Sequence, residues 1–183
     1  QTRPSFVLPG QLQRWNTTPS GDKIVLGLEA GRLLLFDSSR EQPQELQAPI
    51  PAPFTSVAVN DAGHVATGWR SDKVWMHAGE DTLLLTVPGL MDLNFMPGTR
   101  LLLTRTPQGF MTVDPSVPQP INSYKQTQLF KSALPLEGGR VLLQTTAGRL
   151  SIHEPQSERA QEIPGTSGRE QHAVADEGRI IVL

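Results

Sequence analysis

The side chains best equipped for chemistry recur at one point in this chain. A basic residue follows a turn five times, at Lys23, His64, Arg100, Arg140 and Arg179. Gathered on one rim, these five would form a positive collar for an acidic partner. The plainer reading is that a charged residue simply follows a surface turn. Asp22, Asp61, Glu137, Asp176 and Glu177 stand beside it to offset the field, and this reading is favoured. The four histidines are widely spaced. His77 and His153 fall at corresponding points of similar segments, which repetition alone explains, so no metal site is expected. With no cysteine there is no disulfide, thiolate ligand or cysteine nucleophile. No G-x-S-x-G elbow, Walker loop or dinucleotide fingerprint occurs. No catalytic, cofactor-binding or metal-binding residue is assigned, and no cofactor is expected.

Contact chemistry is better represented. In Gly68–Trp69–Arg70–Ser71–Asp72, Trp69 takes a slot filled by Leu28, Arg105 and Thr145 in similar segments, so the fold does not demand an aromatic there. Trp and Arg are favoured binding anchors. The candidate partner-binding residues are Trp69, Arg70, Asp72, Arg100 and Arg140. The plainer alternative for Trp69 is that it caps the edge of its own sheet. Two Pro-rich connectors are also atypical: QAPIPAP before Phe54, and DPSVPQPINSYKQ from Asp114. They read either as a binding face or as stiff spacers that blunt exposed edges.

The elements that position these residues follow from a repeat of about 39 residues. The second copy reads FTSVAVNDAGHVATGWRSDKVWMHA, the third LMDLNFMPGTRLLLTRTPQGFMTVD and the fourth FKSALPLEGGRVLLQTTAGRLSIHE. The first, LQRWNTTPSGDKIVLGLEAGRLLLFD, carries one extra residue in its first turn, and a fifth begins as REQHAVADEGRIIVL. Within a copy, short apolar runs alternate with turn chemistry such as NDAG and RSDK. This predicts four antiparallel strands per copy. Leu12, Phe54, Leu90 and Phe130 open the copies. Ile24, Val65, Leu101, Val141 and Ile180 begin the second strand, and Leu33, Val74, Phe110 and Leu150 lie in the third. Consecutive apolar positions in the second strand imply burial on both faces, as when sheets stack face to face. The fold class is therefore all-β. The chain is a β-propeller, or a propeller segment, of four-stranded antiparallel blades, with four complete repeats and a partial fifth. It forms a single domain over 1–183, with repeats at 12–53, 54–88, 89–129, 130–167 and, in part, 168–183.

Ser56 to Ala78 resembles repeats of the NHL and YVTN type. The turns PSGDK and ADEGR resemble the Pro-Asp-Gly-Lys turn of those families and of WD-repeat proteins. Asp37, Asp114 and Glu154 close the third strand where a WD-repeat places its final Asp, with Ala78 the exception. The Trp that precedes that Asp is replaced by Phe36, His77, Val113 and His153. The resemblance implies a propeller and carries over no active site.

Composition narrows the function. A net charge of −2 supplies no global attraction to nucleic acid or an anionic membrane, so no nucleic-acid partner is expected. No apolar run approaches the roughly 18 residues of a membrane helix, so no membrane insertion is expected. The chain opens with neither Met nor a signal segment and reads as a processed or excised form; cytoplasm and periplasm both remain open. The favoured function is a non-enzymatic protein-interaction, scaffold or ligand-sensing module, within a larger bacterial protein or assembly, with a protein or peptide as partner. The alternatives are an extracytoplasmic sensor or envelope domain, and a propeller hydrolase or lyase. SFVLPG reads as an outer strand that would close a ring with the final segment. Completion by another chain or by further residues is the competing expectation.

Overall fold

The structure, a computed structural model, describes residues 6–107, 109–117, 120–125, 129–154, 159–164, 172–174 and 180–182. Alternation and turn chemistry produce four consecutive antiparallel sheets, each a four-stranded meander. Blade one holds β1 (Leu12–Thr17), β2 (Lys23–Leu28), β3 (Arg32–Asp37) and β4 (Gln44–Gln47). Blade two holds β5 (Phe54–Val59), β6 (Val65–Trp69), β7 (Lys73–Ala78) and β8 (Asp81–Thr86). Blade three holds β9 (Asp92–Phe95), β10 (Leu102–Thr106), β11 (Gly109–Val113) and β12 (Pro120–Lys125). Blade four holds β13 (Phe130–Pro135), β14 (Val141–Thr145), β15 (Leu150–Glu154) and β16 (Arg159–Glu162). β17 (His172–Val174) and β18 (Ile180–Val182) pair as a separate two-stranded sheet. The chain is an all-β propeller segment.

The blades stack through apolar faces. Val25, Leu33 and Leu35 of blade one meet Val57, Val65, Trp69 and Trp75 of blade two. Ala66, Val74 and Met76 then meet Leu90, Leu93 and Leu102 of blade three. Leu103 and Phe110 meet Phe130, Ala133 and Val141 of blade four. Each buried aliphatic contributes about 1.5–3 kcal/mol, and no sheet buries both faces without its neighbours. Two glycines allow the close approach. A Cβ on Gly27 would lie 2.8 Å from Phe54, and one on Gly68 would lie 2.6 Å from Leu90.

The first strands of successive blades adjoin, so they are the inner strands. An inner strand leaves one backbone edge unpaired. Side chains from β1 satisfy that edge in β5. Gln13 Oε1 accepts from the Phe54 N–H at 3.1 Å, Asn16 Oδ1 accepts from the Val59 N–H at 3.4 Å, and Arg14 Nε donates to the Thr55 carbonyl at 2.8 Å.

Blade three departs from the gapless columns. The expected column places Leu101 with Val65 and Val141, but Leu102 takes that place. Leu102 packs toward blade two, as Val65 packs toward blade one, whereas Leu101 lies against the cluster between blades three and four. Strand pairing supplies the reason. Phe95 pairs with Leu102 across a first turn one residue longer than those joining Val59 to Val65 and Pro135 to Val141. Arg105 pairs with Phe110 across a second turn one residue shorter than the one joining Gly68 to Val74. The two changes cancel in the sequence but slip the intervening strand by one residue, which exchanges its faces.

The described start of the chain, from Phe6 to Gly10, forms no strand. Phe6 and Val7 have no strand pairing, and the Phe6 ring packs edge-on against Phe36 of β3, centroids 5.3 Å apart. Apolar cover on blade one is the contact it finds. The segment before Phe6, and Arg179 with its neighbouring acids, lie outside the described residues.

Candidate binding surfaces

β1, β5, β9 and β13 all end on one side of the propeller, where each blade makes its first turn. These strand ends and turns enclose a cavity of about 490 Å3 lined from all four blades. Its floor is apolar and buried, with Val59, Phe95, Met96 and Leu136 closing it and Leu134 half-exposed beside them. Asp61 of blade two and Glu137 of blade four stand exposed at its rim, and among the described residues no Lys, Arg or His lines it. A short 3-10 turn, Glu137–Gly139, sets Glu137 there; Gly138 makes it with φ 69°, a conformation glycine adopts without strain. The frame is tied down. Asn60 Nδ2 donates to the Thr99 carbonyl of blade three at 3.0 Å, while its Oδ1 accepts from the His64 N–H at 2.9 Å. The side chain of half-buried Asn94, whose backbone pairs with Leu103, has no hydrogen-bond partner among the described residues.

Two cations of the expected basic collar, Lys23 and Arg100, are ion-paired. Lys23 is paired with Asp37. That carboxyl is held well below the usual carboxylate range by the Lys23 ammonium and by the Ser39 hydroxyl and N–H. Arg100 pairs with Asp114 at 3.1 Å and donates to Ser116 Oγ at 2.8 Å. Burial pushes the Asp114 carboxyl up, but hydrogen bonds from Ser116 and the Arg100 charge outweigh it and leave it below its ordinary value. Arg140 turns back on its own turn, Nε donating to the Glu137 carbonyl at 3.2 Å. The structure thus places Arg100 and Arg140 on the same side as the cavity but outside its lining.

Trp69 corrects the expectation of an exposed anchor. It ends β6, is 1% exposed, and lies between blades one and two against Phe54, with ring centroids 5.7 Å apart. Its Nε1–H donates to the Ala52 carbonyl of the Pro-rich connector at 3.2 Å. The indole fills the space between these blades at the end of β6. Asp72 serves the turn: at φ 60° it takes the left-handed conformation that Asp tolerates, and its carbonyl accepts from the Val87 N–H at 2.7 Å. Arg70 remains exposed. With Arg14 and the edge of Trp69 it lines a groove of about 760 Å3 on the opposite side of the propeller, floored by the connector at Ala52 and Pro53 and with no carboxylate among the described lining residues.

A third, smaller cleft of about 220 Å3 lies between blades one and two, with Asp37, Arg40, His64 and His77 in its wall. Burial, then the Arg100 and His77 charges, lower the His64 pKa below its ordinary value. His77 stacks on Trp75, centroids 5.6 Å apart, and His153 meets Phe110 edge-on. Among the described residues no group of three or more His, Cys, Asp or Glu could hold a metal ion.

The four-blade cavity was not legible as a site in the sequence. Asp61 and Glu137 figured there only as acids offsetting the collar, and Asn94 and Leu134 carried no motif. The usable signal was positional: each first turn falls at the same point of its repeat.

No family model matches the chain, and no curated protein matches it. Solved structures do. The β-propeller domain of Myceliophteria thermophila Cps50 (Swd1) superposes with a TM-score of 0.74 at 15% identity, covering 96% of this chain and 62% of that one. Kuenenia stuttgartiensis hydrazine synthase superposes with a TM-score of 0.67 at 13% identity, covering 99% of this chain and 57% of that one. This chain therefore spans about three fifths of the length of the two solved chains on which it superposes. At such identities the likeness is one of fold: the chain is a β-propeller module. Among the described residues no helix is long and apolar enough to cross a membrane.

Proposed function

We propose that this β-propeller module is a non-enzymatic protein-interaction element whose partner seats a peptide segment in the four-blade cavity. The observation that carries the reading is the cavity's build. About 490 Å3 of space has an apolar floor and convergent polar groups drawn from four blades, which is the usual composition of a binding site. Its wall is preorganised, because Asn16 and Asn60 are bonded to neighbouring strands and turns rather than to water, so little ordering free energy is lost on binding. The opposite groove, with Arg70, is the second contact surface of the same module.

The test is a displayed random-peptide selection against the parent and against Asn94→Trp, which fills the cavity. The expected result is enrichment on the parent that disappears on the filled variant while both melt at the same temperature. Equal enrichment on the two proteins, or none on the parent, removes the cavity as the binding site.

A further inference from the structure

We infer that the four-blade cavity selects a cationic peptide, one carrying an arginine or lysine flanked by aliphatic residues. The inference rests on the interaction reading above and adds the chemistry of the occupant. Asp61 and Glu137 reach the rim from blades two and four, with blade three between them, so negative charge approaches an occupant from two sides. On the neighbouring turns Lys23 and Arg100 are paired with Asp37 and Asp114, while Arg140, held on the Glu137 carbonyl, lies outside the lining. Inside a concave, low-dielectric wall, unbalanced carboxylates focus their field inward and favour a cation. An anionic side chain would meet the like charge of Asp61 and Glu137, with no cation among the described lining residues.

The floor sets the second requirement. Val59, Phe95 and Leu134 offer apolar surface that an aliphatic side chain, or the methylene stem of an arginine, can cover. Asn94 supplies the third element: its carboxamide has both a donor and an acceptor uncommitted, as a peptide backbone requires. The preference is local rather than global. The groove on the opposite side is lined by Arg14 and Arg70, with no carboxylate among its described lining residues.

The experiment is fluorescence polarisation at low salt with three labelled hexapeptides. The first carries one arginine between two leucines, the second glutamate in place of the arginine, and the third serines in place of the leucines. The first is expected to bind tightest, at least roughly tenfold tighter than the second, since a charge-assisted hydrogen bond is worth on the order of tenfold in affinity. The double variant Asp61→Asn with Glu137→Gln should weaken the first peptide by about tenfold and leave the melting temperature in place. The Asn94→Trp variant should abolish its binding. If the arginine and glutamate peptides bind alike and both are lost in Asn94→Trp, the charge assignment falls while peptide binding at the cavity stands. If the first peptide binds Asn94→Trp as well as the parent, or if no peptide binds the parent, this inference is overturned together with the interaction reading.

Discussion

Trp15 and Trp69 face the same way on adjacent blades, and they meet opposite fates. Trp69 is 1% exposed, clasped between blades one and two, while Trp15 is 63% exposed on the outer face of blade one. The contrast extends along the columns. Val57 and Val65 of blade two are buried against blade one, whereas Ile24, the counterpart of Val65, is exposed and Phe36 is covered only in part, by Phe6. Leu34, on the same face of blade one as Phe36, is nonetheless buried, so that face is open at Trp15 and Ile24 rather than along its whole length.

The sharpest way to break this comparison is Trp69→Ala. It empties a packed inter-blade gap and should destabilise by about 3–5 kcal/mol, read as a drop in denaturant midpoint with unchanged slope. A loss below about 1 kcal/mol would mean that the blades relax into the gap and are not close-packed. Next in size is Gly68→Val, whose Cβ falls 2.6 Å from Leu90 Cδ2. Overpacking there should destabilise by roughly 1–3 kcal/mol, and a neutral result would show that blades two and three slide apart freely.

Thr67→Val should act in the other direction. Thr67 is wholly buried toward blade one and its hydroxyl finds no partner among the described residues. Replacing it with an isosteric methyl should raise stability by up to about 1 kcal/mol. A clear loss would reveal a partner for that hydroxyl. On the open face, Trp15→Ser should shift stability by no more than about 0.5 kcal/mol, yet remove most of the acrylamide-quenchable tryptophan fluorescence. A large destabilisation would show that this face is covered in solution.

The smallest expected effect is a pH slope from His64, at the cleft between blades one and two. Its folded pKa lies below the ordinary value of 6.5, chiefly through burial. The unfolded chain therefore takes up the proton first. Its contribution is fully present above pH 6.5 and declines as pH falls below it. Melting temperature should fall between pH 7 and pH 5, and His64→Gln should flatten that fall. An unchanged slope in the variant would assign the effect to other groups.

The blades were legible in the sequence because their signals are local. NDAG and RSDK form turns with whatever strands flank them, and strand alternation needs only adjacent residues. Blade three was misread because a longer first turn and a shorter second turn cancel in a linear alignment. That error also misjudged Trp69. Strand pairing places Thr106, not Arg105, in the Trp69 slot, and Arg105 instead shares the slot of Gly68. Burial lowers the Arg105 pKa there, opposed by the Asp92 carboxylate. At this slot Trp69 packs between blades one and two while also lining the groove beside Arg70.

The sequence by itself determined the repeat, the strand-and-turn grammar, the all-β class and the apolar columns, since each depends on interactions within a few residues. Tertiary structure alone decided which face of a blade is buried, which cations of the collar are ion-paired, and which four turns enclose a cavity. The hydrogen bonds that lock neighbouring blades explain why. They join Arg14 to Thr55, Asn16 to Val59, Ser56 to Asp92 and Asn60 to Thr99, partners 36 to 43 positions apart. At that separation no local pattern names the partner, and only the stacking of one repeat on the next brings it within reach.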